Sequence, residues 1–316
     1  MRYVLRADAS QTIGSGHVMR SSAIAEELIA RGEEVTFIGE YSEVPWLFSR
    51  MNSIGFSQIL STTEIFAPNP KTDVLILDSY NLPVDNEFIQ PINWKTIVTI
   101  VDDLTPSYVA DLMVHPGLST KWKSSSKTQV LAGPRYIPFR KSIQKNRKIV
   151  IEKEVLEILV VGGGTDSFNF VGAICEVLTN TQGKFNVKVF TNNRNLVQLD
   201  TRFAAVPIGF ELDEYAANAD LVFATASTTS LEFIAREVAV GIGCAVDNQE
   251  EYYRTLSSFG VASPIGRFIK NVWEINQQEV SNLVCSKEHR EGLRRRCAGL
   301  VDLNGAKRIV DEILAL

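Results

Sequence analysis

The sequence predicts an α/β protein in which two doubly wound, parallel-sheet domains face each other across a cleft and a helical tail follows the second domain. Three observations predict this architecture. Short apolar runs of strand length alternate with amphipathic stretches along both halves of the chain, which is typical of parallel sheets with helical crossovers. A basic and polar segment at 140–154 separates the two halves. After it, the order of strand, glycine turn and helix begins again.

The first half begins with a short apolar run and continues through a loop that contains glycines into an amphipathic helix. Gly32 follows this helix, at the position where a helix commonly ends on a left-handed residue. Two later strands end in aspartate, Asp78 in one case and Asp102 and Asp103 in the other. We assign residues 1–145 to the first domain. Its predicted elements are strands at 3–7, 34–38, 74–77 and 97–101 and helices at 16–30 and 45–51.

The second half starts with a strand that ends in three consecutive glycines, Gly162 to Gly164. Because the carboxyl ends of parallel strands meet at one edge of a sheet, the loops after the strands are where ligand-binding residues are expected. We assign residues 146–316 to the second domain, with a tail that is helical from 277 onward. Its further predicted elements are strands at 158–161, 187–190, 221–224 and 238–244 and a helix at 168–178.

The charge and composition of the chain argue against several function classes. Its 316 residues include 37 acidic and 32 basic ones, a net charge of −5, so nucleic acid is not an expected partner. No apolar run approaches the ~18 residues of a membrane span, and the first residues form a strand-like run rather than a leader pattern. We therefore expect a cytoplasmic protein without membrane insertion. The oligomeric state stays open.

Neither a metal nor a cofactor is expected. The four cysteines form no C-x-x-C pair, and no cluster of histidine, cysteine and carboxylate residues has metal-site spacing. The dinucleotide fingerprint G-x-G-x-x-G is incomplete, because Met19 stands where its third glycine would be, and the chain has no Walker P-loop motif.

The loop after the first strand ends in Gly14-Ser15-Gly16-His17, directly before a helix. The glycines let the backbone turn closely, and a helix start presents unpaired N–H groups. A neutral imidazole at this position is well suited to accept a proton, so we favour a general-base function for His17. The alternative is a histidine that only satisfies a turn or a helix start.

Two loops of the second half are candidates for nucleotide binding. The Gly162–Gly164 turn, which continues into Thr165, is either an anion site or only a tight turn. The Ser227-Thr228-Thr229 cluster falls where a helix should begin, so its backbone N–H groups could face a phosphate while Glu232 reaches a ribose. A capping box between Thr229 and Glu232 is the alternative.

A further loop follows the strand at 238–244. The amide side chains of Asn248 and Gln249 could bind sugar hydroxyls at the same sheet edge. Ordinary helix N-capping by Asp247 or Asn248 is the favoured interpretation from the sequence alone.

Taken in order, these motifs resemble one family. Arg6-x-Asp8 followed by the stretch from Ile13 to Arg20 resembles the start of the UDP-sugar hydrolases of pseudaminic acid biosynthesis (the PseG proteins) and of the related SpsG-type spore-coat polysaccharide proteins. The other matching stretches are Leu77-Asp78-Ser79-Tyr80, Val101-Asp102-Asp103, Gly163-Gly164-Thr165-Asp166, Ala226-Ser227 through Glu232, and Asn248-Gln249-Glu250.

This resemblance implies the GT-B fold, with two Rossmann-like domains similar to those of the glycosyltransferase that makes lipid II. It implies hydrolysis of a UDP-linked diacetamido-trideoxy sugar to UDP and the free sugar, with inversion and without a metal or cofactor. His17 would be the general base that activates water. The implied substrate-binding residues are Asp8, Gly14, Gly16, Arg20, Asp78, Tyr80, Asn248 and Gln249. The implied UDP-binding residues are Gly163, Gly164, Thr165, Ser227, Thr228, Thr229 and Glu232.

Two other functions stay open. A glycosyltransferase of the same fold would use His17 to deprotonate a sugar hydroxyl, and a non-catalytic nucleotide-sugar-binding protein would not need the imidazole as a base. The first domain lacks a Lys/Arg-rich amphipathic stretch beside an apolar stripe, which favours water over a lipid-linked acceptor. The loop at 119–128 is either a lid or a linker.

Overall fold

Two seven-stranded sheets form the framework of the part of the protein that the structure, a computed structural model, describes. The described residues are 1–102, 105–125, 127–145, 155–209 and 212–316. The strands of the first sheet are β1 (Arg2–Ala7), β2 (Glu34–Ile38), β3 (Gln58–Leu60), β4 (Asp73–Asp78), β5 (Thr96–Ile100), β6 (Leu112–His115) and β7 (Gln129–Ala132). The strands of the second sheet are β8 (Leu156–Val161), β9 (Phe185–Phe190), β10 (Phe203–Val206), β11 (Leu221–Thr225), β12 (Ala239–Cys244), β13 (Ser263–Ile269) and β14 (Val272–Ile275).

Helices connect most of the strands, as the alternating pattern predicts. None of those in the described residues is both long enough and apolar enough to cross a membrane. The α-helices are α1 (Gly16–Ala30), α2 (Trp46–Ile54), α3 (Lys141–Lys145), α4 (Phe170–Thr179), α5 (Leu212–Ala216), α6 (Thr228–Ala235), α7 (Glu250–Ser258), α8 (Gln277–Cys285), α9 (Lys287–Cys297) and α10 (Gly305–Ala315).

The two sheets have the same topology. Their strand orders are β3-β2-β1-β4-β5-β6-β7 and β10-β9-β8-β11-β12-β13-β14. In each sheet the strands are therefore added first on one side of the first strand and then on the other. This switch point lies between β1 and β4 in the first sheet and between β8 and β11 in the second. Open α/β sheets bind ligands outside the carboxyl ends of the strands at such switch points. The predicted pair of doubly wound domains is confirmed.

Both faces of the first sheet are covered, which is why its strands are apolar without interruption. Successive side chains of a strand point to opposite faces. Tyr3 and Leu5 accordingly belong to a buried cluster on one face, and Val4 belongs to another that contains Leu75 and Trp94. The second sheet carries its own buried cluster, which includes apolar residues of β8, β9, β11 and α4.

The chain divides into two compact units. The first unit is Met1–Lys141 together with Asp302–Leu316, and the second is Ser142–Val301. The predicted division at 145/146 assigns the whole tail to the second domain. The last helix instead belongs to the first unit.

Helix α10 packs on α1, and the side chains of both helices explain why. Ile309 and Val310 of α10 are buried in the same cluster as Leu28 of α1. Arg31, just after α1, donates from Nη1 to Asp311 at 2.7 Å. The apolar stripe of α10 predicts a helix, but the stripe alone does not predict that this helix packs on α1.

Three further features differ from the sequence-based predictions. Strands β3, β6, β7, β10, β13 and β14 were not predicted, because they are short or only partly buried. The last two form an antiparallel pair in a sheet that was expected to be wholly parallel. The tail is not continuously helical, since α9 ends at Cys297 and α10 begins at Gly305. Asp103 and most of the basic connection at 140–154 lie outside the described residues.

Candidate functional site

His17 lies at the start of α1, beyond the carboxyl end of β1. Gly14 has a φ of +79°, and its N–H donates to the Ser10 carbonyl at 2.9 Å, which closes the loop before the helix. Helix α1 begins at Gly16, and the side chain of Ser15 forms no capping hydrogen bond. The loop therefore places a buried imidazole, 5% exposed, at the start of the helix that follows β1, the strand beside the first switch point.

Asp78, the last residue of β4, is fully buried beside this imidazole. Its Oδ1 lies 2.5 Å from His17 Nδ1. Arg20 donates to both carboxylate oxygens, from Nε to Oδ2 and from Nη2 to Oδ1, each at 2.6 Å. The Ser21 hydroxyl donates to Oδ2 at 3.1 Å. One carboxylate thus holds three side chains of α1.

The charge on Asp78 determines which nitrogen of His17 is available. Burial raises the pKa of Asp78, but the charge of Arg20 and the adjacent His17 outweigh burial and hold this pKa well below its ordinary value. An ionised carboxylate only accepts hydrogen bonds, so His17 Nδ1 must carry a hydrogen and donate it to Asp78. Nε2 is then the nitrogen that can take up a proton from a bound molecule.

Tyr80 and Asp102 complete this group. The Tyr80 ring meets the His17 ring edge to face, with centroids 4.3 Å apart. The Tyr80 hydroxyl donates to Asp102 Oδ2, and Arg20 Nη2 lies 3.7 Å from the same oxygen. We call these five residues, His17, Arg20, Asp78, Tyr80 and Asp102, the His17 cluster.

Asp8 and Gly16, two other predicted substrate-binding residues, support the loop. Asp8 Oδ1 accepts hydrogen bonds from Arg6 Nη1 at 2.5 Å and from the Glu40 N–H at 2.8 Å. These bonds tie the end of β1 to the end of β2. Gly16 supplies the first residue of α1.

In the second unit, helix α6 begins at Thr228, directly after β11. The Ser230 hydroxyl accepts from the Ser227 N–H at 3.2 Å and donates to the Ser227 carbonyl at 2.7 Å. The capping box at this helix start therefore forms between the N-cap Ser227 and Ser230, the third residue of the helix, and not between Thr229 and Glu232. Glu232 lies one turn into the helix and is buried.

The Gly162–Gly164 turn lies at the switch point of the second sheet. A Cβ on Gly162 would stand 1.9 Å from Asp166 Oδ1, so only glycine fits. Gly163 has a φ of +85°, and a Cβ there would lie 3.5 Å from Thr225 Oγ1 at the end of β11. Thr165 follows, with its hydroxyl 3.0 Å from that of Ser167.

The position of Asp166 bears on which helix start of the second unit, that of α4 or that of α6, is the better candidate for binding a phosphate. Its Oδ1 accepts from the Val171 N–H at 3.3 Å, at the start of α4. Burial raises the pKa of Asp166 to about 6, although the backbone donors Val171 and Phe170 act in the opposite direction. A carboxylate thus already occupies the start of α4, which favours α6 for binding an anion.

Asn248 and Gln249 lie in a short 3-10 turn after β12. Gln249 Oε1 accepts from the Ala245 N–H at 2.8 Å, so its amide oxygen closes this turn. Neither Asp247 nor Asn248 caps α7, whose N-cap residue is Gln249 without a side-chain bond. The N-capping that the sequence favours is therefore not formed.

Ser21 and Asp102 contact the predicted site residues but were not predicted to belong to them. The position of Ser21 beside the site could have been predicted from helical spacing, because positions 17, 20 and 21 share one face of α1. Asp102 follows β5, the neighbour of β4, at the same sheet edge as Asp78. Among the residues that the structure describes, no three His, Cys, Asp or Glu side chains are grouped to hold a metal ion.

No family model matches the chain, but two curated proteins are similar to it in sequence. An uncharacterized protein of Methanocaldococcus jannaschii is 27% identical over 208 residues, in a match that covers 60% of this chain and 42% of that protein. The UDP-2,4-diacetamido-2,4,6-trideoxy-beta-L-altropyranose hydrolase of Campylobacter jejuni is 22% identical over 210 residues, which covers 63% of this chain and 73% of the hydrolase. The chain thus spans less than half the length of the archaeal relative.

Solved glycosyltransferases are similar to the chain in fold. The kitacinnamycin glycotransferase has a TM-score of 0.68 and 13% identity and covers 99% of this chain and 98% of its own. The spinosyn rhamnosyltransferase complexed with thymidine diphosphate has a TM-score of 0.66 and 12% identity and covers 100% of both chains. The fold of this protein is accordingly the GT-B fold, with two Rossmann-like units.

Proposed function

We propose that the protein is a nucleotide-sugar hydrolase that releases UDP and a free 2,4-diacetamido-2,4,6-trideoxy sugar in nonulosonic (pseudaminic) acid or surface polysaccharide biosynthesis in the cytoplasm. The observation that carries the proposal is the hydrogen-bonded arrangement of Asp78, Arg20 and His17 beside the switch point of the first sheet. The similarity to the Campylobacter hydrolase supports the substrate class.

His17 acts as the general base in the proposed reaction. Nε2 takes a proton from water as the water oxygen bonds to the anomeric carbon, and the bond from that carbon to the diphosphate oxygen breaks with inversion. UDP leaves with the electron pair of that bond. Asp78 keeps the hydrogen on Nδ1 and stabilises the imidazolium that forms, while Arg20 keeps Asp78 ionised.

The nucleotide is assigned to the second unit. The backbone at the start of α6, at Ser227, Thr228 and Thr229, is proposed to bind the diphosphate, and Glu232 the ribose. A helix N-terminus stabilises the negative charge of a departing diphosphate, so the scheme is metal-independent. The turn formed by Gly163, Gly164 and Thr165 is proposed to lie alongside the nucleotide.

The sugar-binding residues are proposed separately for each unit. Tyr80 is the candidate in the first unit, and Asn248 with the adjacent Gln249 are the candidates in the second. Asp8, Gly14 and Gly16 contribute by shaping the loop that carries His17, as their positions around that loop support.

A glycosyltransferase is the second candidate function, because several solved structures of similar fold are glycosyltransferases. His17 would then deprotonate a hydroxyl of an acceptor sugar. Its geometry toward Asp78 suits either acceptor, so the acceptor has to be determined by experiment.

The test is to incubate the purified protein with a panel of UDP-sugars in oxygen-18-labelled water, with a chelator present and no acceptor. We expect UDP release only from a UDP-diacetamido-trideoxy sugar. The label should appear in the free sugar and not in UDP, because attack at the anomeric carbon breaks the carbon–oxygen bond.

Three outcomes would contradict the proposal. Release of UDP only after a second sugar is added would identify a transferase. Label in UDP would place the attack at phosphorus. Tight binding of UDP-sugars without release under either condition would identify a binding protein.

A further inference from the structure

Asp102 is a buried carboxylate that the proposed reaction leaves without a function. It lies two residues after β5, the strand next to β4, and is 5% exposed. Its backbone N–H donates to Thr105 Oγ1 at 2.9 Å, and that hydroxyl donates to Asp102 Oδ1 at 3.2 Å. Thr105 thus fixes the carboxylate at the end of its strand.

The other oxygen of Asp102 contacts two members of the His17 cluster. Oδ2 accepts the hydrogen bond of the Tyr80 hydroxyl and lies 3.7 Å from Arg20 Nη2. A hydrogen bond at the hydroxyl restrains rotation about the side-chain bonds of a tyrosine that is only partly buried. Asp102 supplies this hold at the end of the phenol ring.

The ring that Asp102 holds is the one that packs on His17. Its centroid lies 4.3 Å from that of the imidazole, at an interplanar angle of 89°. The hydrogen bond to Asp78 and the approach of Arg20 Nη2, at 3.2 Å, both act at Nδ1 of the imidazole. The phenol ring packs against the imidazole itself, so it limits tilting of the ring about its Nδ1 contacts and thereby the direction of Nε2.

We propose that Asp102 is a positioning residue, which holds Tyr80 against His17 and so keeps Nε2 directed at the proton it accepts. The inference rests on the proposed function. Asp102 touches neither water nor sugar in this scheme, and its effect passes through the Tyr80 hydroxyl.

The kinetic test compares Asp102→Ala, Tyr80→Phe and the double variant. We expect each single variant to lower kcat by about 10–100-fold, the range known for residues that orient a reacting group, with KM and UDP affinity changed less than about threefold. Because both substitutions remove the same link, the double variant should be no slower than the slower single one by more than about threefold.

Two further variants separate positioning from a structural contribution. Asp102→Asn keeps an oxygen acceptor for the Tyr80 hydroxyl and should recover at least about tenfold of the kcat lost in Asp102→Ala. Asp73→Asn is the matched control, since Asp73 is a buried carboxylate at the opposite end of β4, paired with Arg2. Its kcat should stay at the wild-type value.

A second readout needs no turnover. The chain has only three histidines, so the imidazole NMR signals of His17 can be assigned by substitution. We expect Asp102→Ala and Tyr80→Phe to shift and broaden the His17 signals in the same way, and Asp73→Asn to leave them unchanged. This readout stays informative even if no UDP-sugar is hydrolysed, a result that would contradict the proposed function alone.

The inference would be overturned by His17 signals that do not move in Tyr80→Phe, which conserves the ring and should fold. A double variant whose loss equals the product of the two single losses would also overturn it, because Asp102 would then act independently of Tyr80. So would a loss in Asp102→Asn as large as that in Asp102→Ala.

Discussion

The switch point of the first sheet, between β1 and β4, is bordered by ionised side chains, whereas that of the second sheet, between β8 and β11, is lined by glycine backbone and hydroxyl groups. The two sheets have the same strand order, so topology does not explain the difference. In the first unit, Asp78 is surrounded by three side-chain donors. In the second, Gly163 adopts a φ of +85° beside the Thr225 hydroxyl.

Two aspartates illustrate what this difference does. The pKa of Asp78 is held well below its ordinary value because Arg20 and His17 outweigh burial. The pKa of Asp166 is raised to about 6, because burial acts there with only backbone donors to oppose it. The presence of Arg20 beside Asp78 thus accounts for the opposite pKa shifts of the two aspartates. This difference is in keeping with the proposal that the first unit transfers a proton and the second binds an anion by its backbone.

Removing the charge of Asp78 should have the largest effect. Asp78→Asn removes the carboxylate that pairs most closely with buried Arg20 and leaves only the longer contact to Asp102, which should lower the free energy of unfolding by up to about 3–5 kcal/mol. It also removes the acceptor that fixes the hydrogen on His17 Nδ1, so turnover should fall by about 10²–10⁴-fold. The measurements are denaturant unfolding and UDP release.

The pH dependence of the free energy of unfolding gives a second test of the same variant, with a direction that can be predicted. A depressed pKa adds stability above the ordinary aspartate pKa of about 4, and this stability is lost as the pH falls below it. Asp78→Asn should therefore flatten the acid side of the stability curve.

Asp73→Asn, at the other end of β4, is the control for turnover and should retain it. Equal losses of turnover in both variants would show that the sheet, and not the His17 cluster, is affected.

A charge at the start of α6 should have the next largest effect, with opposite signs in stability and binding. Thr228→Asp places a negative charge at the first residue of the helix, which should raise the free energy of unfolding by about 0.3–1 kcal/mol. The same charge should weaken UDP binding at least about tenfold by repelling the diphosphate. Thermal unfolding and calorimetric titration with UDP measure the two effects.

Thr228→Asn is the matched neutral control and should bind UDP within about threefold of the wild type. If Thr228→Asp bound UDP as tightly as Thr228→Asn does, the start of α6 would not be the diphosphate site.

The effect expected at Asp166 is on stability alone and is confined to acidic pH. A raised pKa means that the folded protein holds this proton more tightly than the unfolded chain, so its contribution to stability is full below about pH 4 and is lost as the pH rises to about 6. Asp166→Asn keeps an oxygen acceptor for the Val171 N–H and carries no charge. The free energy of unfolding of Asp166→Asn, relative to that of the wild type, should rise by about 1–3 kcal/mol between about pH 4 and about pH 6. Parallel unfolding curves for the two proteins between these pH values would contradict the assignment.

The sequence predicts the central strands well, because parallel strands buried on both faces are continuous apolar runs. The predicted bounds of β2 and α1 coincide with those of the structure. Edge strands such as β3 and β14 are partly exposed, so their mixed composition does not distinguish them from loops. The amphipathic stripe of α10 predicts a helix but not the surface it covers, because one apolar stripe fits either unit.

The site is predictable to the level of loops but not of contacts. Strand topology brings the end of β4 beside the loop that carries His17, and motif resemblance selects Asp78 and Tyr80. That Asp78 bonds to His17 depends on side-chain geometry across 61 positions of sequence, which no local pattern encodes. Asp166 shows the converse, since a glycine turn typical of phosphate sites contains a carboxylate that occupies the adjacent helix start.

His17→Ala separates the general base, which we propose for the first unit, from the nucleotide site, which we propose for the second. Turnover of the best UDP-sugar and calorimetric affinity for UDP are measured on the same preparation, with His115→Ala as a control for loss of a buried histidine of the same sheet. We predict that turnover falls by about 10²–10⁴-fold while UDP affinity stays within about twofold of the wild type. Turnover that survives the substitution would contradict the assignment of His17 as the general base. UDP affinity that is lost with it would contradict the assignment of the nucleotide site to the second unit.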